Sequence, residues 1–510
     1  MVLSVSLALS LRLALLSALR VRAVDPIIRP ASNHSCFSAC SLLAERFPSQ
    51  VHSSGTPLYA AFEGSFWSLQ QAETPPYCVF RPESAPEVSA AIRTARQTQC
   101  LFAVRSGGHA AFSGASNAPN GLTIDLRGLN EVALSDDNTI AHIGTGNTWY
   151  EVYSTLQPSN LAVIGGRVAA IGVGGLTTGG GISFFSNLHG WACDNVQNYE
   201  VVTASGDILQ VNISSCPDLY YALRGGGPNF GIVTRFDLFT YPLPQGLMWG
   251  GTLAYLMNYS SSILAAFTDF GMNVQSDPNA ALIVAYAYYG GQYLASVDLE
   301  YAKPSADPTI FNSFKAIPWL QDSTGIKTLA NITLEFNASN PSGLRETYWT
   351  ATYQLNYTMA SYIIDIFIEE TNPVANATGI LPACVLQVIT TDQLSQMSKY
   401  GGNALGLSST QPLILLNLAY MWENVEDDKR IIQACQNIIK RTVAKSREWG
   451  LAEDYLYMNY ASQFQDVVPS YGKENHEKLL DVARKYDPEG VFQKLQPGYF
   501  KLNRNPKSSR

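Results

Sequence analysis

The sequence predicts an α+β protein built as two domains, and three features of its pattern say so. The chain has 510 residues, beyond the size at which one hydrophobic core keeps growing. Between about residues 75 and 244, short strand patterns alternate with short helical ones. From about Met248 to Glu453 the strands and helices lengthen, tyrosine becomes frequent and most N-glycosylation sequons appear. These shifts set the domains at 25–247 and 248–454, with 455–510 as a compact closing segment. Hydrophobic residues make up 46% and charged residues 15%, a balance that suits a well-buried enzyme and excludes a disordered chain. The net charge of −8 gives no electrostatic reason to bind nucleic acid or an anionic membrane.

Residues 1–23 read as a secretory signal. The run from Leu7 to Leu19 is apolar apart from Ser10, Arg12 and Ser17, and Val21 and Ala23 offer small residues where a signal peptidase would inspect them. Arg12, Arg20 and Arg22 support the rival reading, an uncleaved amphipathic anchor. No later stretch has the roughly 18 unbroken apolar residues of a spanning helix. Sequons at Asn33, Asn212, Asn258, Asn331, Asn337, Asn356 and Asn376 fit glycosylation in the secretory pathway. Eight cysteines suit the same oxidising compartment. They contain no Cys-x-x-Cys, and the six histidines no His-x-x-x-His, so no metal site is expected. A secreted protein is the expectation.

Ser84-Ala85-Pro86-Glu87 reads as a capping box opening a helix whose inner face is Val88, Ala91, Ile92 and Ala95. A short apolar strand at 101–104 runs into Arg105-Ser106-Gly107-Gly108-His109, and further strands are expected at 122–126, 140–144, 196–203 and 232–239. From Gly165 to Gly181, eight of seventeen residues are glycine, which a helix or strand does not tolerate cheaply. A loop that approaches a ligand closely is expected there. In the closing segment Tyr455, Tyr457 and Asn459 alternate as on one face of a strand, opposite Tyr460. Leu479, Val482, Ala483 and Tyr486 mark a helix that stops before Pro488.

Glycine-rich loops that follow apolar strands can hold a diphosphate, because turn N–H groups converge into an anion nest and no Cβ bars the approach. Neither Gly172-Val173-Gly174 nor Gly225-Gly226-Gly227 completes G-x-G-x-x-G, and no P-loop pattern occurs, which excludes a Rossmann NAD site and a P-loop. A nucleotide held by another fold remains.

Four segments in order then match one family. Arg105-Ser106-Gly107-Gly108-His109-Ala110 with Gly114 resembles the first FAD loop of vanillyl-alcohol-oxidase-type flavoproteins. Ile171-Gly172-Val173-Gly174-Gly175 with Gly179-Gly180-Gly181, then Asp194-Asn195-Val196, is similar to the second. Leu223 to Val233, including Gly231 and Ile232, resembles the third signature. Tyr457-Met458-Asn459-Tyr460, with Tyr486-Asp487-Pro488 and Phe492, resembles the tail of berberine-bridge-enzyme-like proteins. The loops and tail look closest to fungal secreted members.

The resemblance implies a PCMH-type FAD-binding domain of two α/β subdomains, its core at about 74–243. A substrate domain of antiparallel sheet covered by helices and a C-terminal segment returning to the FAD domain would complete the fold. It implies FAD joined through its 8α carbon to His109, since a neutral imidazole can attack there. It implies one such link only: where many relatives carry a second attaching cysteine, this chain has Val168, which leaves a more open site. Ile171 stands where relatives control oxygen access. Tyr457 is expected to be the catalytic base, needing a nearby cation or donor to act at neutral pH, with Asn459 on the flavin ring and Tyr460 beside them. Cys36 or Cys40 would pair with Cys100. The implied reaction is oxidation of an alcohol or similar C–H donor of a small molecule, a secondary-metabolite intermediate first, with oxygen as acceptor. A carbohydrate oxidase and an oxidative cyclase are the rivals within this chemistry. A flavin-free secreted binding protein is the rival outside it.

Overall fold

The computed structural model describes residues 33–503; the signal expected at 1–23 lies outside them. Three sheets organise the described residues. The smallest has four strands in the order Val51–Ser53, Cys78–Phe80, Leu122–Asp125, Phe102–Arg105, the last three parallel. Asn33–Arg46 and Ala85–Thr98 cover it, and their buried faces share one core with it. Disulfides Cys36–Cys100 and Cys40–Cys78 fasten the first helix to this sheet. Cys36 is thus the partner of Cys100.

A second, antiparallel sheet has Ile232–Pro242 at its centre, flanked by Ile140–Gly144 and Val196–Val202. Trp149–Leu156 and Pro217–Leu223 pack into its core. The third sheet has nine strands and is antiparallel throughout, running from Leu247–Leu256 to Ala452–Glu453 in sequence. Alternation decides what each of its faces meets. Val284, Tyr286, Val297, Leu299, Cys384, Leu386, Leu416 and Leu418 point to Ser260–Asn273, Tyr357–Thr371 and Asp428–Glu448, closing a separate core. The residues between them turn the other way, toward the glycine-rich loops.

Several local expectations need correction. Ser84 precedes its helix but makes no side-chain cap. Glu87 reaches past it to the Glu83 N–H at 2.7 Å and takes the Gln50 amide at 2.9 Å, so the tertiary partner draws the carboxylate one residue upstream. A complete capping box stands instead at Thr148 and Glu151. The strand before the first loop is Phe102–Arg105, one residue later than the apolar run suggests. Within the glycine-dense stretch, Val173–Thr178 forms a short helix, since Val173 and Thr177 find buried places that anchor it. Among the described residues no helix is long and apolar enough to cross a membrane, and no group of three or more metal-capable side chains occurs.

Candidate active site

A cavity of about 600 Å³ lies between the loops of the two smaller sheets and the open face of the nine-stranded one. Its loop wall is shaped by backbone. The loop after Phe102–Arg105 presses so tightly on the loop before Val173–Thr178 that a Cβ on Gly172 would sit 2.2 Å from the Gly107 nitrogen, and one on Gly107 2.4 Å from the Gly172 nitrogen. Ser106 pins the junction, its hydroxyl donating to the Thr145 carbonyl at 2.7 Å and accepting from the Gly174 N–H at 3.1 Å. Gly108 turns the chain at φ +75°, a conformation that costs other residues strain.

That turn delivers His109 to the cavity. The imidazole stacks on Trp67 with centroids 4.2 Å apart and planes 11° off parallel. Its Nε2 is buried with no hydrogen-bond partner. Burial pushes its pKa down to about 4, which makes the ring neutral and its free nitrogen nucleophilic at ordinary pH.

The closing segment supplies a third side. Residues 455–460 do not form the expected strand: a 3-10 turn at Met458–Tyr460, entered from Tyr457, brings a residue back beside the one three positions before it. Tyr460 therefore lies next to Tyr457, rings 4.8 Å apart and edge to face, rather than opposite it. Tyr457 is buried, and its hydroxyl oxygen accepts from the Gly181 N–H at 3.1 Å and from Asn459 Nδ2 at 3.0 Å. Burial pushes that phenol well above its ordinary range. Asn459 also donates to the Leu176 carbonyl at 3.0 Å. Gly179 makes room for it, since a Cβ there would lie 2.1 Å from the Asn459 Oδ1. The Tyr460 oxygen faces two donors, Arg167 Nη2 at 2.8 Å and Gln387 Nε2 at 3.1 Å, and Arg167 also reaches Gln387 Oε1 at 2.7 Å.

An unpartnered, neutral imidazole on a cavity whose other loops are stripped of Cβ atoms fits a flavin dinucleotide, and the comparisons support an FAD site. Residues 76–212 match the family model described as FAD binding domain, and residues 456–497 match that described as Berberine and berberine like. The "FAD-dependent monooxygenase tpcD" of Cochliobolus heterostrophus is 37% identical over 492 residues, covering 92% of this chain and 95% of that protein. The chain belongs to the berberine-bridge-enzyme-like FAD-linked oxidoreductases. A second relative of this enzyme, "FAD-dependent monooxygenase sdcF" of Emericella nidulans, is 34% identical, covering 91% of the chain and 98% of that protein. Solved structures share its fold. A variant of berberine bridge enzyme has TM-score 0.73 at 18% identity, covering 89% of this chain and 98% of that one. Xylooligosaccharide oxidase from Myceliophthora thermophila, in complex with xylobiose, has TM-score 0.72 at 18% identity, covering 92% and 100%.

In this FAD-linked oxidoreductase the cavity wall includes Ser106, Gly107, Gly108, His109, Ala110, Ile171, Gly172, Gly174, Gly175, Gly231, Ile232, Tyr457, Asn459 and Tyr460 among the residues singled out from sequence. Others stand behind the wall. Arg105 packs its guanidinium 3.9 Å over the Phe66 ring and donates to Phe62 and Ser65. Asp194 is sealed in an ion pair with Arg224 at 3.0 Å. Asn195 ties the carbonyls of His189 and Trp191. Val196 opens a buried strand, Gly180 lies against Trp191 and Leu405, and the Gly114 carbonyl abuts Gly498.

Sequence reasoning missed Trp67, Arg167, Gln387, Asn417, Asp298 and Tyr348. Arg167 had a usable signal, as the one charged residue between Gly165 and Gly181. The sheet residues had none, since each sits alone in an ordinary strand.

Proposed function

We propose that this enzyme oxidises an alcohol or similar C–H donor of a small organic molecule, with FAD joined to His109 by one 8α link and Tyr460 as the base. Bound there, FAD would accept the hydride that leaves the substrate carbon. The observation that carries the reading is the Tyr460 hydroxyl, set on the cavity with a guanidinium and an amide both donating to it. A tyrosine base needs a cation or donor beside it to act at neutral pH, and Arg167 supplies the cation. Tyr460 would take the substrate hydroxyl proton as the hydride leaves. Tyr457, expected from sequence to be the base, accepts from two neutral donors, Gly181 and Asn459, with no guanidinium among them, and its proposed part is to position that turn.

The substrate proposed is a secondary-metabolite intermediate and the proposed acceptor is oxygen, giving hydrogen peroxide. The relatives' names favour a second reading, monooxygenation. Labelled dioxygen separates the two, because only monooxygenation puts label in the organic product, whereas an oxidase leaves it all in hydrogen peroxide. A secretory route is also proposed, supported by two disulfides and by the absence of any buried asparagine among the sequons at Asn212, Asn258, Asn331, Asn337, Asn356 and Asn376.

Anaerobic flavin reduction by a panel of aromatic alcohols and sugars tests the base. Tyr460→Phe should slow reduction by about 10²–10⁴-fold with flavin content unchanged, and Tyr457→Phe should slow it far less. Wild-type reduction in Tyr460→Phe would overturn the assignment.

A further inference from the structure

The sheet wall is a grid, and strand register gives its rows. Ala287, Ala383, Ala419 and Tyr348 stand side by side on four adjacent strands. Ala285, Val385, Asn417 and Thr350 form the next row. With strands about 4.8 Å apart, three alanines in a row make a shelf on the order of 10 Å across. A sugar laid there would press hydroxyls against methyl groups and lose their hydration without return. A flat ring would lose nothing.

Among the polar groups around this shelf, Asn417 and Arg167 each keep hydrogen-bonding capacity that a ligand could use. Asn417 lines the cavity and is only 6% exposed, yet its Oδ1 accepts from nothing. A buried acceptor left empty costs free energy that a donor on the ligand would recover. Arg167 leaves the glycine-rich loop and reaches across to Gln387 on the sheet, so its guanidinium edges the space between the two walls. Its Nη2 is used by Gln387 and Tyr460. Among the described residues Nε and Nη1 have no partner, and no carboxylate lies within ion-pair distance. Asp298 and Glu300 feel its charge only from farther off. A guanidinium with donors to spare suits an anionic oxygen.

We infer that the substrate is a planar aromatic ring system lying on the alanine shelf, with an anionic oxygen held by Arg167 and a hydroxyl donating to Asn417. The inference rests on the proposed function only in taking this cavity as the substrate site. A carboxylate and an acidic phenol offer the same chemistry to Arg167.

The purified protein titrated with naphthoate, nitrophenolate, naphthamide and xylobiose tests this. Quenching of tryptophan fluorescence gives the readout and needs no flavin, so a colourless protein would count against the proposed function while leaving this result readable. Naphthoate should bind roughly tenfold or more tighter than its neutral amide. Tight nitrophenolate binding as well would extend the oxygen to phenols, and its failure would restrict it to carboxylates. Xylobiose should bind weakest. Arg167→Met should erase the preference for the anion, and Arg167→Lys should keep part of it. Equal affinity for naphthoate and naphthamide in the unaltered protein, tighter binding of xylobiose, or a preference that survives Arg167→Met would each overturn the inference.

Discussion

The two walls of the cavity are made in opposite ways. The loop wall is backbone brought close by missing side chains, Gly107 against Gly172 and Gly179 against Asn459. The sheet wall is side chains alone, small where a ring would lie and polar at Gln387 and Asn417, with Arg167 reaching over to it from the glycine-rich loop. A wall of backbone contacts tolerates few substitutions and suits an unvarying cofactor. A wall of alternating side chains can change residue by residue with the strands intact, and so suits a substrate that differs between relatives.

The largest effect expected from this contrast is at Gly172. In Gly172→Ala the new methyl must push the two loops apart, and flavin bound per chain, read from visible absorbance, should fall at least about tenfold. Ala383→Val on the opposite wall should keep full flavin and weaken naphthoate instead; flavin loss there would break the division of labour. Next is Cys36→Ser, which lies on neither wall. It should cost about 2–5 kcal/mol of stability in denaturant unfolding and leave the cavity chemistry as it was.

Trp67→Leu comes third. With its stacking partner gone, the imidazole can swing, so the fraction of flavin that stays with the acid-precipitated chain should drop a few-fold relative to total bound flavin. An unchanged fraction would mean the stack does not orient His109.

The smallest effect is on the sheet wall. Burial raises the Asp298 pKa from 3.8 to about 6, with the Thr252 hydroxyl opposing the shift. The folded chain then holds that proton more tightly than the unfolded one. Its contribution to stability is present at low pH and is lost as pH rises through about 6, at no more than about 1.4 kcal/mol per pH unit. Asp298→Asn should remove that slope, and a parallel pH–stability curve in the variant would show that Asp298 does not titrate there.

How far each wall can be read from sequence follows from how it is made. Gly107, Gly108 and Gly172 write the loop wall into the chain as clustered residues that close approach explains, and the family resemblance that these loops carry implied the FAD-binding fold, beside the α+β pattern read from the strands and helices. The sheet wall leaves no such mark. Ala287, Ala383, Asn417 and Tyr348 meet only through register, and Leu413–Trp422 is buried on both faces, so its apolar run, interrupted by Asn417 alone, does not show which face meets the cavity. Tyr455, Tyr457 and Asn459 show period two by coincidence, because the 3-10 turn at Met458–Tyr460 is set by contacts with Gly181 and Leu176 that lie far away in sequence. Arg167 was visible as a lone charge, but its partner Gln387 is 220 residues away.

Mass analysis of the peptide that carries His109, after denaturation and proteolysis of the purified protein, tests the central claim most directly. The account predicts one FAD added at His109, and none on that peptide from His109→Ala. A bare His109 peptide, with all the flavin free in the supernatant, would contradict it.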